Sequence, residues 1–374
     1  MKKKFNIFIF HPYPSFGGAD RSIIRIINAN KNANFTIISL TKCDYKKYLN
    51  KKVKRIQLSA GRTILSLFEL RNVVLKLMQN SKNEKNIFIS NQNFANILTI
   101  LSLKKIKKLK IILIERNHLE ELYNYRNFFD FLKKKIILSL IKVTYKRADF
   151  VVGISKKLAT DLSRFINKKV ELIYNPAMDE QLNKKNSDKV KLNKRILNKN
   201  IILNIGFFED QKDQITILKA FNLLKKEFND VHLVLIGRGS KFKEFKTFVK
   251  INKLNKDVSF LTKINNPKNF YNVADLFVLS SKYEGFGNVI VEALKYNCPV
   301  ITSNCKSGPM EIISQGKYGD YFTIGDYNGL KNKIKNFLIN KSKLKTKTIR
   351  AKNHIKKFSM SKNKLAFDKL FYKI

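Results

Sequence analysis

Short apolar runs of strand character alternate with helical patterns along almost the whole chain, and this rhythm is the signature of βαβ units and parallel sheets. In the first half the runs fall at 5–11, 35–41, 53–58, 86–91, 111–116, 150–154 and 170–174, with helical stretches between most of them, such as 62–78. The second half repeats the plan at 201–207, 231–236, 258–261, 276–280 and 299–303. The polar segment 176–199, with Asn-Lys-Lys-Asn-Ser-Asp-Lys at its centre, breaks the rhythm and reads as a linker. The pattern predicts two doubly wound α/β domains. One covers 1–178 and regains a C-terminal helix at about 352–374; the other covers 179–351. Ile355, Phe358, Leu365, Phe367, Leu370 and Phe371 supply the loose apolar stripe of that last helix. Facing doubly wound domains hold ligands in a cleft at the carboxyl ends of their strands, so the loops that follow strands should carry the chemistry.

The net charge of +47 comes from 75 basic and 28 acidic residues. It implies attraction to a polyanion, either nucleic acid or an anionic membrane leaflet. Part of it is compositional: Lys, Asn and Ile are abundant, and only 12 of the 75 basic residues are Arg. Local clusters survive that discount. Residues 341–374 hold 12 Lys and Arg against Asp368 alone, and residues 104–147 hold 13 against four acids. With few Arg and no basic-aromatic platform, nucleic acid is not an expected partner. The three cysteines, Cys43, Cys298 and Cys305, are odd in number and unpatterned, which suggests a reducing compartment and no metal site. The first residues imitate a signal peptide, but the apolar run stops at His11-Pro12 and reads better as a strand. No stretch approaches the roughly 20 apolar residues of a membrane span. The expected location is the cytoplasm, or the inner face of the cytoplasmic membrane as a peripheral protein. The stretch 123–147, basic and rich in aromatic and aliphatic residues, could lie on an anionic membrane or be an internal helix with a solvated face.

One loop stands out. Ser281-Lys-Tyr-Glu284-Gly285-Phe286-Gly287-Asn288-Val289-Ile-Val-Glu292 follows a buried strand and leads into a helix expected over 289–296, with Asn288 as its N-cap and Pro299 beyond its end. A strand, a glycine turn and a helix start form an anion site, because free backbone N–H groups point out of the helix. Carboxylates beside such a site need another task, such as holding sugar hydroxyls. The plainer reading is a turn residue at 284 and a helix-favouring surface residue at 292.

This segment resembles the Glu-x7-Glu motif of the retaining glycosyltransferases of family 4, which have the GT-B fold. The likeness continues through Asn297-Cys-Pro-Val-Ile-Thr-Ser-Asn, Ser307-Gly-Pro-Met-Glu311-Ile-Ile, Gly316 and Gly325-Asp326. It implies that Glu292 binds the nucleotide ribose, that Glu284 meets the donor sugar, and that the amides of Gly285, Phe286, Gly287, Asn288 and Val289 meet the diphosphate. After the strand 201–207, Gly206 and Lys212 match the family, and Lys212 would neutralise the leaving diphosphate. The Arg that the family usually carries beside that glycine is Phe207 here, so Arg238 becomes a candidate second cation. Gly17-Gly18, after the first strand, resembles the family's glycine loop near donor phosphate and acceptor. His118, in Glu115-Arg116-Asn117-His118, matches a His that contacts the donor sugar. Tyr174-Asn175-Pro176 resembles the inter-domain hinge. Each of these also has a plain reading as an ordinary loop residue.

The reaction implied is transfer of a sugar, with retained configuration, from a nucleotide-diphosphate sugar, a UDP-sugar for preference, to a glycan or lipid-linked acceptor of a cell-surface polysaccharide, lipopolysaccharide or glycoprotein glycan. Glu284, His118 and Lys212 are the expected catalytic residues, and no metal or cofactor is required. Rival readings are a nucleotide-sugar epimerase or phosphorylase on the same fold, and a basic nucleic-acid-binding protein.

Overall fold

The computed structural model describes residues 5–374 except 16, 31, 32, 44, 46, 47, 50, 51, 81–84, 179–191, 263, 265 and 266. The chain divides into two compact units. The first holds Met1–Pro176 and Met360–Ile374, the second Ala177–Ser359.

In the first unit β1 (Phe5–Phe10), α1 (Gly18–Ala29), β2 (Ala33–Ser39), β3 (Lys54–Gln57), α2 (Leu67–Gln79), β4 (Lys85–Asn91), α3 (Asn93–Leu103), β5 (Leu109–Glu115), α4 (Phe128–Thr144), β6 (Phe150–Gly153), α5 (Lys156–Ile166) and β7 (Glu171–Leu172) follow one another. Among the described residues the strands are parallel in the order β3-β2-β1-β4-β5-β6-β7. The strand order therefore reverses between β1 and β4. The inner strands are covered on both faces, which is why they read as continuous apolar runs rather than alternating ones. The outer strand β3, Lys-Arg-Ile-Gln, stays largely exposed, and its charges guard that edge against pairing with another chain.

The second unit begins, among described residues, with a bridge at Met178 and α6 (Lys194–Leu197). Most of the linker expected at 176–199 lies outside the described residues. There follow β8 (Asn200–Ile205), α7 (Gln214–Leu224), β9 (Val231–Ile236), α8 (Phe242–Ile251), β10 (Val258–Leu261), α9 (Lys268–Val273), β11 (Leu276–Leu279), α10 (Asn288–Lys295), β12 (Val300–Ser303), α11 (Pro309–Ile312), β13 (Asp320–Phe322), α12 (Tyr327–Ile339) and α13 (Lys341–His354). The parallel order β10-β9-β8-β11-β12-β13 reverses between β8 and β11. Phe208 anchors the loop after β8 in the core, stacked on Phe242 and edge-on to Phe245 and Phe260. Such pairs add about 0.5–1.5 kcal/mol each beyond their buried area.

Every strand expected from the sequence is present. Only β13 has no counterpart, being three residues at a sheet edge. The C-terminal stripe behaves differently from expectation. Ile355 and Phe358 form a 3-10 turn after α13 and stay with the second unit, whereas Phe367, Leu370 and Phe371 lie on α14 (Met360–Tyr372) in the first. Leu365 is exposed. The stripe fits one helix only loosely because it serves two cores. On α14 Phe371 packs against Phe5 of β1, with ring centroids 5.6 Å apart.

The crossing segments are held on each side. In the first unit Asn363 donates to the carbonyl of Tyr174 at 2.7 Å and Arg25 to that of Pro176 at 3.0 Å. In the second, Met178 N donates to Phe358 O at 3.0 Å.

Candidate functional site

Where the strand order reverses, the loops leaving the two adjacent strands run in opposite directions over the sheet and leave their ends open to a ligand. In the second unit those loops follow β8 and β11. The first closes with a 3-10 turn, Asp210–Lys212, and the second carries Glu284. Lys212 Nζ donates to Glu284 Oε1 at 2.5 Å, across 72 residues of sequence. Two residues singled out separately in the sequence are thus direct partners. Ser281 Oγ donates to the same oxygen at 2.7 Å. Oε2 takes no hydrogen bond from the described residues, which leaves it as the oxygen to meet a ligand.

The two loops are also sewn together through their backbones. Ser280 Oγ donates to the Lys212 carbonyl at 2.7 Å, Gln211 Nε2 to that of Tyr283 at 2.9 Å, and Lys282 N to that of Gln211 at 2.8 Å. Both charged side chains therefore stand on a fixed base, and Glu284 is only 7% exposed.

The turn after Glu284 ends at Gly287, whose φ of 98° and ψ of 53° are left-handed. Glycine adopts this conformation without steric cost. Gly287, and not Asn288, is the N-cap: the chain enters the helix from a left-handed residue, so Asn288 already sits in the first turn. The helix accordingly covers Asn288–Lys295, and Asn297, at φ 56°, makes the left-handed exit. The start of α10, at Asn288 and Val289, thus follows directly on this glycine turn. The ring of Phe286 is buried edge-on against Phe358, centroids 5.0 Å apart. Gly308 backs this turn so closely that a Cβ on it would stand 2.0 Å from the Phe286 carbonyl oxygen. Ser307 Oγ donates to the Gly285 carbonyl at 3.2 Å. Glu292 is buried on α10 and accepts from the Tyr271 hydroxyl at 3.3 Å, while Tyr271 stacks on Tyr296.

Gly206 lies beside Lys212, but a Cβ there would make only ordinary contacts, the nearest at 3.6 Å. The glycine that close packing requires is Gly237, whose Cβ would fall 1.9 Å from the Gly206 carbonyl oxygen. Phe207 is 37% exposed, and its carbonyl is held by Gln214 Nε2 at 3.0 Å. Arg238 follows β9 at the same end of the sheet and is exposed, its carbonyl accepting from Phe208 N at 2.9 Å. Among the described residues no three His, Cys, Asp or Glu side chains gather as a metal ion would need.

Gly17, Gly18 and His118 belong to the first unit. Gly17 caps α1, and Gly18 is its first residue. Asp20 gathers this loop, accepting from Gly17 N at 2.8 Å, Ser15 N at 3.2 Å and the Tyr45 hydroxyl, with His11 Nε2 at 3.1 Å. Burial works to raise the Asp20 carboxyl, but these partners outweigh it and hold it below the usual range. His118 is buried after β5. Its Nε2 contacts Asp161 at 2.9 Å and its Nδ1 accepts from Glu120 N at 3.3 Å, so both ring nitrogens are engaged inside the unit. Nearby Arg116 carries no mark in the sequence that sets it apart from other basic residues. Its guanidinium is buried, donating to Asn91 at 3.0 Å and to Asn175 at 2.9 Å, and burial lowers it to about 10. Burial likewise pushes the Glu115 carboxyl up to about 7, against hydrogen bonds from the Tyr145 hydroxyl and two backbone N–H groups.

The chain is similar to known proteins. Residues 185–354, nearly the whole second unit, match the family described as glycosyl transferases group 1. A Campylobacter jejuni N-acetylgalactosaminyltransferase acting on a diphospho-undecaprenol-linked disaccharide is 28% identical over 66% of this chain and 65% of its own length. A second such enzyme of the same organism, named as an alpha-1,4-N-acetyl-D-galactosaminyltransferase, is 28% identical over 96% of both chains. The crystal structure of Anabaena HepE with UDP and glucose superposes with a TM-score of 0.79, covering 99% of this chain and 100% of that one at 18% identity. The chain has the GT-B fold, and its second unit resembles glycosyl transferases group 1. The matched residues include Lys212 and Glu284 together with Gly206, Arg238, Glu292 and the turn from Gly285 to Val289, whereas Gly17, Gly18 and His118, in the first unit, lie outside the match.

Proposed function

We propose that this protein is a glycosyltransferase that moves a sugar from a UDP-sugar to a lipid-linked glycan acceptor, with retention of configuration, by the chemistry of family 4. The observation that carries the reading is the Lys212–Glu284 pair at the strand-order reversal of the second unit, with Oε2 of Glu284 unclaimed. Glu292 would hold the ribose hydroxyls, the amides from Gly285 to Val289 the diphosphate, and Glu284 the sugar. Lys212 would turn to the diphosphate as negative charge develops on it. Arg238 would assist where Phe207 supplies no charge. The C1–O bond to phosphate breaks, the C1–O bond to the acceptor hydroxyl forms on the same face, and the hydroxyl proton passes to the departing phosphate oxygen. The scheme needs no metal. Gly17, Gly18 and His118 would serve the donor sugar and acceptor from the first unit, His118 through its ring edge, since its nitrogens are occupied. The named activities of the Campylobacter relatives and the UDP in the HepE structure support the donor and acceptor classes.

A thermal-shift screen of UDP, UDP-glucose, UDP-GlcNAc, UDP-GalNAc and GDP, followed by mass spectrometry of lipid extracts incubated with the stabilising donor, tests this. A ligand at 100 times its Kd adds about 2.7 kcal/mol of stability. The expected result is stabilisation by uridine nucleotides and a lipid product heavier by one sugar. An epimerised free nucleotide sugar, phosphate-dependent cleavage, or salt-sensitive DNA binding without nucleotide binding would overturn it.

The acceptor class also accounts for α4. Phe128, Phe129, Leu132, Ile136 and Val143 are all exposed, with Phe128 at 71% and Phe129 at 81%. At 3.6 residues per turn they fall within about 100° of arc. Exposed Lys133 borders the stripe on one side, and Lys135 and Lys142 on the other. An apolar stripe between two basic borders suits a helix lying in an anionic membrane surface, where each Lys adds about 1 kcal/mol. No helix among the described residues is long and apolar enough to cross a membrane. Phe128→Glu/Phe129→Glu should weaken binding to phosphatidylglycerol-containing vesicles at least 30-fold in sedimentation, with UDP affinity unchanged. Equal binding by the variant would exclude α4 as the contact.

A further inference from the structure

We propose that Ser281 is a positioning residue for the transfer, the group that keeps Glu284 in place when Lys212 leaves it for the donor; the inference rests on the function proposed above. Both hydrogen bonds to the Glu284 carboxylate fall on Oε1, one from Lys212 and one from Ser281. Lys212 cannot serve a diphosphate and the carboxylate with the same N–H group. Once it turns to the phosphate, Ser281 is the described residue still bonded to Oε1, and a buried carboxylate short of hydrogen bonds moves to find others.

Ser281 is built for this task. It is fully buried, and its own carbonyl accepts from Ser303 Oγ at 2.6 Å, which ties it to the end of β12. The preceding Ser280, also fully buried, holds the backbone of Lys212 instead. Two consecutive serines thus anchor the two partners by different means. Ser280 fixes where the Lys212 stem begins and leaves its ammonium free to swing. Ser281 fixes the Glu284 carboxylate itself and leaves Oε2 pointing to a ligand. A displacement of about 1 Å in a reacting group costs about 100-fold in rate, so the hydroxyl matters far more to turnover than to binding of the nucleotide.

The test compares wild type, Ser281→Ala and Ser281→Thr as full chains. Calorimetry with UDP gives nucleotide affinity, and turnover of the UDP-sugar found in the donor screen gives kcat and KM. In Ser281→Ala, UDP affinity and donor KM should stay within threefold of wild type while kcat falls at least tenfold; Ser281→Thr, which keeps the hydroxyl, should recover most of the loss. Wild-type kcat in Ser281→Ala, or kcat and UDP affinity falling together without rescue by Thr, would overturn the proposal. If the wild type turns over no nucleotide sugar, the proposed function fails instead. The positioning role is then decided by crystal structures of Lys212→Met and Lys212→Met/Ser281→Ala: a Glu284 carboxylate in place in the first and displaced in the second upholds it, and one unmoved in both removes it.

Discussion

Glu284→Ala is expected to lower transfer at least a thousandfold while leaving UDP affinity undiminished and the fold intact. A thousandfold corresponds to about 4 kcal/mol of lost transition-state stabilisation. The split follows from the partners of the carboxylate. Lys212 is paired with Glu284; in the proposed scheme the carboxylate competes with the diphosphate for it, so its removal would free the ammonium for UDP and the nucleotide should bind as well or better. The fold survives because the group left behind is a lysine whose side chain is 20% exposed, within reach of water. The sugar, by contrast, would lose the oxygen proposed to meet it. Lys212→Met should behave in the opposite sense. It leaves Glu284 to Ser281 alone and removes the cation nearest the diphosphate, so UDP affinity falls first. Calorimetry with UDP beside steady-state kinetics checks both variants. Undiminished transfer by Glu284→Ala would refute its assigned role, and an equal loss of UDP binding would place Glu284 at the nucleotide instead of the sugar.

What the sequence can and cannot show follows from the range of the interactions. Parallel strands buried on both faces leave continuous apolar runs, so the inner strands of both sheets are legible one by one. The edge strand β13, only three residues long, is not. The loops after strands are the right place to search, and Glu284 and Lys212 stand out there for separate tasks. Their contact is invisible in the sequence, because it depends on β11 lying beside β8 and not beside β10, a choice made by crossover topology over 72 residues. His118 shows the same limit: a histidine after a strand looks available until Asp161, 43 residues on, takes its Nε2. Asn288 fails as a cap for a local reason. Asn is a favoured N-cap when its own backbone is extended, but this chain reaches the helix through a left-handed Gly287, which takes the cap position, so that Asn288 is already helical. Ser281 lies inside the most conspicuous segment and still escapes notice, since a serine closing a strand has no periodic or compositional mark. Gly237 and Gly308 escape it too, because a glycine's necessity comes from what stands opposite its missing side chain.

Gly308→Ala carries the second large effect, and it is structural in origin. At φ 74° the position already disfavours any residue with a Cβ, a penalty of about 1–3 kcal/mol. The added carbon would also stand 2.0, 2.4 and 2.5 Å from the O, Cα and C atoms of Phe286. All three are backbone atoms, so no side chain can swing aside. Either the turn Gly285–Gly287 or the start of α11 must shift by roughly 1 Å, the distance needed to restore ordinary contact. The turn is the softer of the two, because Pro309 and the buried Met310 and Ile312 fix α11 in the core. A shifted turn loses the alignment of the amides that lead into α10 and drags Glu284 with it. UDP affinity should therefore drop at least 100-fold, about 2.7 kcal/mol. Gly325→Ala isolates the cause: its φ of 77° carries the same backbone penalty, but nothing lies within 4 Å of its Cβ. That variant should lose some stability and keep UDP affinity within threefold. Hydrogen exchange on Gly308→Ala should show weakened protection around α10 and α11 and unchanged protection in β1, β4 and β5, whose core belongs to the first unit. UDP binding of wild-type strength by Gly308→Ala would mean that the Gly285–Gly287 turn does not hold the diphosphate.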